Sequence, residues 1–410
     1  MPALLGLSAV FLVILALRST DNLLHASFWG EDGWLWYSDA YRVGIDSLFW
    51  PNVGYLSTLQ RLVAIVSQQV PLVYEPVVFA VVALVTEAAT AVFIVSDRMA
   101  SAWPSAWGRL LFAFIYLVLP NSWEIYGNLT DAHWHLAVLA FCILVSAPPV
   151  NRRQIVFDAV VLTISGVSGP FSILLLPVAL WQAVVDRRPS TRWRSALLAA
   201  TAIVQIWFLL TNNQHRTTAP LGAGPIVLSR IIALQIFLRS LSGTITLPPI
   251  VQAVMERHGS VSILVCLVGI GYGLTAAYLG PPVLRKAILF AGASFAAALV
   301  TPLVSRTDPQ WQSMTMPLSG DRYYVYPILA WLGALFVLAA DRRLVLRVFG
   351  IGMIATMLAW GVPADWHYPL AGPIGFKARA RAFMAAPPGT RMEFPIRPGG
   401  PPMVLIKHAP

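Results

Sequence analysis

The stretch PVVFAVVALVTEAATAVFIV, residues 76–95, decides the fold of this chain. It runs for 20 residues with a single ionisable side chain, that of Glu87. A helix needs about 20 consecutive apolar residues to cross the roughly 30 Å hydrocarbon layer of a bilayer. This stretch therefore predicts a transmembrane helix, because a helix of this length at the edge of a soluble core carries a polar face.

The composition of the whole chain also indicates a membrane protein. Of its 410 residues, 57% are hydrophobic and 11% are charged, whereas soluble domains carry about 25% charged residues. The two cysteines, Cys142 and Cys266, lie inside apolar stretches, which excludes a disulfide framework and a cysteine-based zinc motif. The composition predicts one membrane domain in contact with the lipid bilayer.

Further apolar segments lie on both sides of residues 76–95. The predicted spans are residues 4–17, 76–95, 104–119, 134–145, 155–165, 171–185, 195–210, 261–279, 287–304, 325–338 and 344–360. We therefore predict an all-α polytopic membrane protein with about eleven transmembrane helices. The first segment is interpreted as a retained helix rather than a signal peptide, because no positive charge precedes it and no A-x-A site follows it.

The basic residues predict the orientation of these helices. With a cytoplasmic N-terminus and alternating spans, the inside loops carry 13 of the 28 Lys and Arg residues, opposed only by Asp97, Asp186 and Asp341. Positive charge is typical of cytoplasmic loops. The net charge of +10 is therefore a topology signal rather than a sign of nucleic-acid binding. We predict a multi-pass protein of the bacterial inner (plasma) membrane with an extracytoplasmic C-terminus.

The alternation leaves long segments outside the cytoplasm. They are residues 18–72, 211–260 and 304–322 and the tail beyond residue 361. In the first of them, residues 37–50 and 55–66 mix aromatic, aliphatic and polar side chains at helical spacing, which predicts interfacial helices. Arg230 and Arg239 in residues 225–240 favour an interfacial or re-entrant helix there over a span.

The domain prediction follows from these segments. Residues 1–361 form the transmembrane domain, and residues 362–410 form a small extracytoplasmic tail rich in Pro and Gly. Residues 391–396 and 403–407 around the turn sequence PGGPP predict a hairpin in this tail.

The first outer segment contains FWGEDGWLWYSDAY, residues 28–41. A carboxylate near the membrane surface and partly enclosed by aromatic rings can have a raised pKa and act as a general base. Glu31 and Asp32 are therefore candidate catalytic acids, and Trp29 and Asp39 are candidate substrate-binding residues. The alternative is an ordinary interfacial belt of Trp and Tyr, with acids that cap the next helix.

A second polar cluster is NSWEIYGNLTDAHWH, residues 121–135. His133 and His135 are two residues apart, so on a helix they face different directions and do not share a metal ion in the i, i+4 manner. We predict no metal site here. The two histidines are either solvated loop residues or ligands of an anionic substrate.

A third cluster is SRTDPQWQSMTMPLSGDRYYVYP, residues 305–327. Arg306 and Arg322, with Tyr323, could clamp the phosphate of a lipid carrier at the membrane surface. The alternative is membrane anchoring by a tyrosine girdle with snorkelling arginines. Four residues of the segment 211–260 are further phosphate-binding candidates: His215, Arg216, Arg230 and Arg239.

Taken together, these features resemble the GT-C superfamily of polytopic glycosyltransferases, which take sugars from polyprenyl-phosphate donors. Glu31 and Asp32 fall in the first outer loop, where such enzymes carry their catalytic acid. The sequence GDRYYVYPILAWLGAL, residues 320–335, is similar to the RY-plus-proline entry to a late helix in several of these families. No large globular domain follows the membrane part, so we expect a small or lipid-linked acceptor.

The resemblance implies inverting transfer of a sugar to an extracytoplasmic acceptor, a lipid-linked glycan or cell-envelope polysaccharide. It implies that Asp32 or Glu31 deprotonates the acceptor hydroxyl. Arg306 and Arg322 would stabilise the leaving phosphate, with His133 or His135 as the second choice. Some members use a divalent metal ion, but we predict no cofactor because the sequence contains no clear carboxylate cage.

Two other classes of protein share this topology. A transporter or flippase would bind its cargo through intramembrane groups such as Glu87, although the polar groups here concentrate in the outer segments. A non-catalytic protein of polysaccharide assembly would not need Asp32. Mutation of the acidic pair distinguishes these classes from an enzyme.

Overall fold

The computed structural model of this chain describes residues 2–212, 217–367, 372–398 and 401–409. Two of the phosphate-binding candidates, His215 and Arg216, lie outside these ranges. Apart from one hairpin, the described chain is built from helices. Up to residue 211 they are α1 Pro2–Arg18, α2 Thr20–Leu24, α3 Ser38–Val43, α4 Thr58–Ser67, α5 Glu75–Val95, α6 Ala106–Leu117, α7 Ala132–Val145, α8 Arg152–Gly166, α9 Phe171–Val185 and α10 Pro189–Thr211.

The second half of the chain continues in the same way. Its helices are α11 Pro225–Ile231, α12 Arg239–Ser242, α13 Pro249–Arg257, α14 Gly259–Leu279, α15 Pro282–Val300, α16 Gln310–Ser313, α17 Val325–Ala339, α18 Leu344–Thr356, α19 Val362–Ala364 and α20 Phe376–Ala385. Short 3₁₀ segments are Gly44–Phe49, Asp97–Ser101, Trp123–Ile125 and Asp321–Tyr324, and π-helical segments are Asp32–Tyr37, Ile232–Leu238 and Met357–Gly361.

Each of the eleven predicted apolar segments coincides with a helix. In the described residues, seven continuous helices are long and apolar enough to cross a membrane: Glu75–Val95, Pro189–Thr211, Pro225–Ser242, Gly259–Leu279, Pro282–Val300, Asp321–Ala339 and Leu344–Ala364. Shorter apolar helices, such as α1, α6, α7 and α9, accompany them. The prediction of an all-α, multi-pass membrane protein is confirmed at this level.

Local sequence explains where several helices begin. Proline occupies an early position in α5, α10 and α15, where its fixed φ suits a helix and its missing N–H costs no hydrogen bond. Ser105 caps α6 by accepting a hydrogen bond from the backbone N–H of Gly108 at 3.0 Å, and Asn151 caps α8 in the same way through Gln154.

The helix Pro225–Ser242 is long enough to span, but its two basic residues bind backbone carbonyls of other segments. The guanidinium of Arg230 donates to the backbone carbonyl of Met255 at 3.0 Å, just before α14 begins. The buried Arg239 donates to the carbonyl of Thr315 at 3.0 Å. These arginines therefore satisfy backbone carbonyls of neighbouring segments instead of facing the outer cavity described below.

The tail contains the hairpin that the sequence predicts. Strand β1, Arg391–Phe394, pairs antiparallel with β2, Met403–Ile406, so that Arg391 lies opposite Ile406. In the turn between them, Gly399 and Gly400 lie outside the described residues.

The described residues of the tail do not form a core of their own. Phe383 and Phe394 from the tail share one hydrophobic cluster with Phe28 and Trp36, which precede α3, and with Phe79 of α5. A segment of this size cannot bury enough apolar surface by itself, so it packs against the loop that carries the acidic pair.

Candidate active site

An outer cavity of about 770 Å³ lies where the first outer loop, the loop before α7 and the segment before α17 meet. We name it the outer cavity because the sequence predicts that these loops lie on the extracytoplasmic side. It brings together six of the nine predicted site residues: Trp29, Glu31, His133, Arg306, Arg322 and Tyr323. Residues distant in sequence therefore share one space that holds carboxylates, cations and aromatic rings.

The acidic pair divides between the cavity and the protein interior. Glu31 lines the outer cavity and is half-buried. Its carboxylate has no hydrogen bond or ion pair with any residue that the structure describes. The aromatic wall beside it is formed by Trp29 and Trp123, whose rings meet edge to face at 5.4 Å. Glu31 is thus the member of the pair that a substrate can reach.

Asp32 lies behind the cavity wall and is 2% exposed. Its Oδ1 accepts a hydrogen bond from the hydroxyl of Thr130 at 2.8 Å, and its Oδ2 accepts one from the backbone N–H of Leu129 at 3.2 Å. Burial raises the pKa of Asp32 to about 8 and the charge of Glu31 acts in the same direction, while both hydrogen bonds oppose the shift. Asp32 therefore connects the first outer loop to the loop before α7.

The tail fixes the turn that presents the two acids. The backbone N–H of Gly30, at φ +44°, donates to the carbonyl of Arg397 at 2.5 Å. At Gly33 a Cβ would lie 2.8 Å from Cβ of Phe28 and 3.0 Å from Cγ2 of Ile396. Only glycine allows this close packing. The backbone therefore turns at residues 30–33, where the tail packs against the loop.

The cations of the cavity differ in their partners. The guanidinium of Arg322 forms an ion pair with Glu124, donates to the carbonyl of Leu303 at 2.7 Å and lies 4.7 Å from the centre of the Tyr323 ring. In contrast, Arg306 is exposed and has no partner among the described residues. One cation is fixed in place, and the other is free to meet an anion.

Three predicted residues face away from the cavity wall or lie behind it: Asp32, Asp39 and His135. Asp39 forms ion pairs with Arg61 and Arg42 at 3.2 and 3.1 Å. His135 is fully buried and bonds to the hydroxyl of Tyr116 and the carbonyl of Ile125. Both contribute to holding the loops together and are not placed to touch a substrate in the cavity.

The two histidines of α7 face different directions, as their spacing predicts. His133 lines the outer cavity, where it bonds to Gln60 and lies 5.3 Å from the ring of Phe171. Within the described ranges, no group of three or more His, Cys, Asp or Glu side chains is placed to hold a metal ion.

Three residues that the sequence does not single out as site residues also line the cavity: Asp131, Glu124 and Thr130. Asp131 is buried, and this burial raises its pKa well above the ordinary value, with the charge of Glu124 acting in the same direction. All three belong to the polar cluster at residues 121–135. The sequence shows that polar residues cluster in this loop, but it does not show which of their side chains point into the cavity.

Glu87, the intramembrane acid that a transporter would use, is also placed structurally. It is fully buried in α5 and accepts a hydrogen bond from the backbone N–H of Gly127 at 2.8 Å. It does not line the outer cavity. Its contact holds the loop before α7 against the bundle.

Comparisons with models of known families, with curated proteins and with solved structures find no match for this chain.

Proposed function

We propose that this protein is an inverting membrane glycosyltransferase that moves a sugar from a polyprenyl-phosphate donor to an extracytoplasmic acceptor. One observation carries the proposal: the free carboxylate of Glu31 and the cations of Arg306 and Arg322 line one cavity walled by aromatic rings. Base, phosphate-binding cations and sugar-stacking surfaces are the three components that such a transfer needs. The resemblance to the GT-C superfamily is consistent with it.

In the proposed reaction, Glu31 removes the proton from the acceptor hydroxyl. The oxygen forms a bond to the anomeric carbon as the bond from that carbon to the phosphate oxygen breaks, so the configuration inverts. The electron pair of the broken bond stays on the phosphate, whose growing charge Arg322 and Arg306 stabilise. Glu124 holds Arg322 in position, and fixed cations stabilise a transition state without reorganisation.

Asp32 has a positioning role in this proposal. Its carboxyl is buried, with a pKa of about 8, and is largely protonated near neutral pH. It fixes Thr130 and Leu129, next to Asp131 at the start of α7. The geometry thus favours Glu31 over Asp32 as the base, because a base must reach the proton that it removes.

Part of the lining of the outer cavity suits a lipid carrier. It consists of apolar side chains: Phe171, Ile173, Leu174, Leu209, Ala297 and Ala298. A polyprenyl chain can lie against such a wall while its phosphate stays near the arginines.

We also propose eleven crossings, with the N-terminus in the cytoplasm of a bacterial cell and the outer cavity and tail outside. The helix Pro225–Ser242 would not cross. Its first half contacts Met255, before α14, and Gln235 in its second half bonds to Met314, before α17. The proposed alternation of spans puts both of these segments on the outer side, so the helix would lie along that side of the membrane without crossing it.

The test is sugar transfer in membranes of a strain that lacks this protein, complemented with single variants. We expect Glu31→Gln to lower transfer by about 10³-fold, because general-base catalysis typically contributes 10²–10⁴-fold. Asp32→Asn should lower it by only about tenfold, since that change disturbs position and not the base.

The matched control is Asp46→Asn, an exposed acid of the same loop that does not line the cavity, and it should leave transfer unchanged. Protein level and insertion are checked for each variant. Full transfer in Glu31→Gln would exclude the proposed base and favour a transporter or an assembly protein. Loss in Asp32→Asn alone would make Asp32 the base.

A further inference from the structure

A second cavity lies in the other half of the helix bundle. This inner cavity has a volume of about 490 Å³, within the roughly 300–1,000 Å³ range of ligand pockets. Its walls come from α5, α6, α7, α15 and α17 and are almost entirely apolar, with Phe112, Phe141 and Phe336 among them. Nothing in the proposed sugar transfer uses this space.

Four aromatic residues separate the two cavities. Tyr326 lines the inner cavity, and its ring lies 5.3 Å from Trp134, 5.7 Å from Phe171 and 4.5 Å from Phe290. Its hydroxyl donates to the carbonyl of Trp134 at 3.0 Å. We call these four residues the aromatic partition. Because the partition is closed, a lipid bound by Arg306 and Arg322 does not extend from the outer cavity into the inner one.

The inner cavity opens at the end opposite the partition. Tyr326 and Phe290 at its closed end are buried, whereas Pro104, Pro281 and Ala340 at its other end are exposed. From Tyr326 to Val337 it follows 12 residues of α17, and the 11 steps between them span about 17 Å at 1.5 Å per residue. That length matches one leaflet, half of the roughly 30 Å hydrocarbon layer.

Three arginines follow residues that line the open end of the inner cavity. Arg285 follows the lining residue Leu284, and Arg342 and Arg343 follow the lining residue Asp341. All three arginines are exposed and form no ion pair within the described part of the chain. Asp341 accepts a hydrogen bond from the backbone N–H of Arg343 at 2.7 Å. An apolar cavity with arginines at its open end is complementary to a lipid that has an anionic headgroup.

We propose that the inner cavity binds one acyl chain of an anionic glycerophospholipid from the leaflet on the arginine-bearing side. The phosphate lies against Arg285, Arg342 and Arg343, and the chain runs along α17 to the aromatic partition. The bound lipid fills the bundle beneath the outer cavity. This site does not depend on the proposed transfer reaction.

The test uses the purified full chain in phosphatidylcholine vesicles that contain phosphatidylglycerol with a photoactivatable diazirine at the end of one acyl chain. Mass spectrometry locates the label. We expect it on Phe141, Phe290 and other wall residues near the partition. Gly333→Leu should lower this labelling by about tenfold, because the added side chain occupies the cavity.

The geometry of Gly333 makes this substitution informative. A Cβ there meets only Cδ1 of Leu284, at 3.3 Å, so the side chain points into the space. The matched control is Gly352→Leu on α18, where a Cβ has no neighbour within 4 Å, and it should label like the wild type. If Gly333→Leu does not fold, Ala287→Val on the opposite wall replaces it.

Two further probes test the headgroup and the source of the chain. The double variant R342Q/R343Q should lower labelling by phosphatidylglycerol by about 30-fold, as expected for two arginines near a surface phosphate. Equal labelling by a neutral phosphatidylcholine probe would contradict the role of charge. Wild-type labelling in Gly333→Leu, or labelling by a diazirine polyprenyl phosphate in place of phosphatidylglycerol, would overturn the proposal.

Discussion

The outer and inner cavities are both lined by α7 and α15, yet they carry opposite chemistry. The outer cavity holds Glu31, Asp131, Arg306 and Arg322, whereas the inner cavity is lined almost only by carbon. The difference comes from the segments that close each end. Long polar loops cover one end, while short turns such as Gly280–Pro281 leave the other end open.

In the two proposals, one helix bundle holds a reaction site in the outer cavity and a lipid-binding site in the inner cavity. Apolar helices supply shape at both ends, and loops add charged groups at one end only. Charged groups are unfavourable inside a bilayer. They are tolerated where loops surround them with hydrogen-bond partners. The aromatic partition keeps the two environments apart.

After the loss of the proposed base Glu31, the largest effect is expected at Arg322, the fixed cation of the outer cavity. Arg322→Gln should lower kcat for sugar transfer by about 10²–10³-fold, the usual effect of removing one group that stabilises an oxyanion. For Arg306→Gln we expect a smaller loss of about tenfold, mainly in KM, because an exposed arginine contributes less to a fixed geometry.

The pair with Glu124 provides the control for Arg322. Arg322→Gln leaves Glu124 without its partner, so part of the loss could come from an unpaired carboxylate. The double variant R322Q/E124Q removes that effect and should remain inactive. Recovery of transfer in the double variant would contradict a role in phosphate stabilisation and make the pair structural.

A smaller effect tests the aromatic partition directly. Cys142 lines the inner cavity, and in a Cys266→Ser background it is the single thiol. A small cationic thiol reagent added from the outer side should modify Cys142 about tenfold faster in Tyr326→Ala than in the wild type, because reactivity follows access.

Tyr326→Phe is the matched control for this measurement. It removes the hydrogen bond to Trp134 but keeps the ring that closes the partition. Labelling of Cys142 should then stay at the wild-type rate. Equal labelling in wild type and Tyr326→Ala would mean that Tyr326 does not separate the cavities.

The smallest expected effect concerns Asp32 and pH. Its carboxyl has an ordinary pKa of 3.8 in the unfolded chain and about 8 in the folded protein. Protonation therefore favours the folded protein most below pH ~4, and this contribution is lost as the pH rises towards 8. Between pH 6 and 9 the loss should be on the order of 2 kcal/mol, a fall of a few degrees in Tm.

The Tm of Asp32→Asn in detergent should change less over the same pH interval, because the titrating group is gone. Asp46→Asn, at an exposed acid of the same loop, should keep the wild-type pH profile. If Asp32→Asn retained the full wild-type profile, another group would be responsible for it.

The sequence alone predicted the helical segments and the pairing of the tail strands, since both depend on local patterns. Apolar runs of spanning length form helices wherever they occur, because a backbone in lipid must satisfy its own hydrogen bonds. The spacing of His133 and His135 likewise predicted that they face different ways, and in α7 one lines the cavity while the other is buried.

Only the tertiary structure decided which member of each polar cluster faces the cavity. Glu31 and Asp32 are adjacent in sequence, yet one is accessible and the other is buried. Their turn is fixed by Ile396 and Arg397, more than 360 residues away in sequence. Side-chain direction in an irregular loop depends on such distant contacts, and no local periodicity records them.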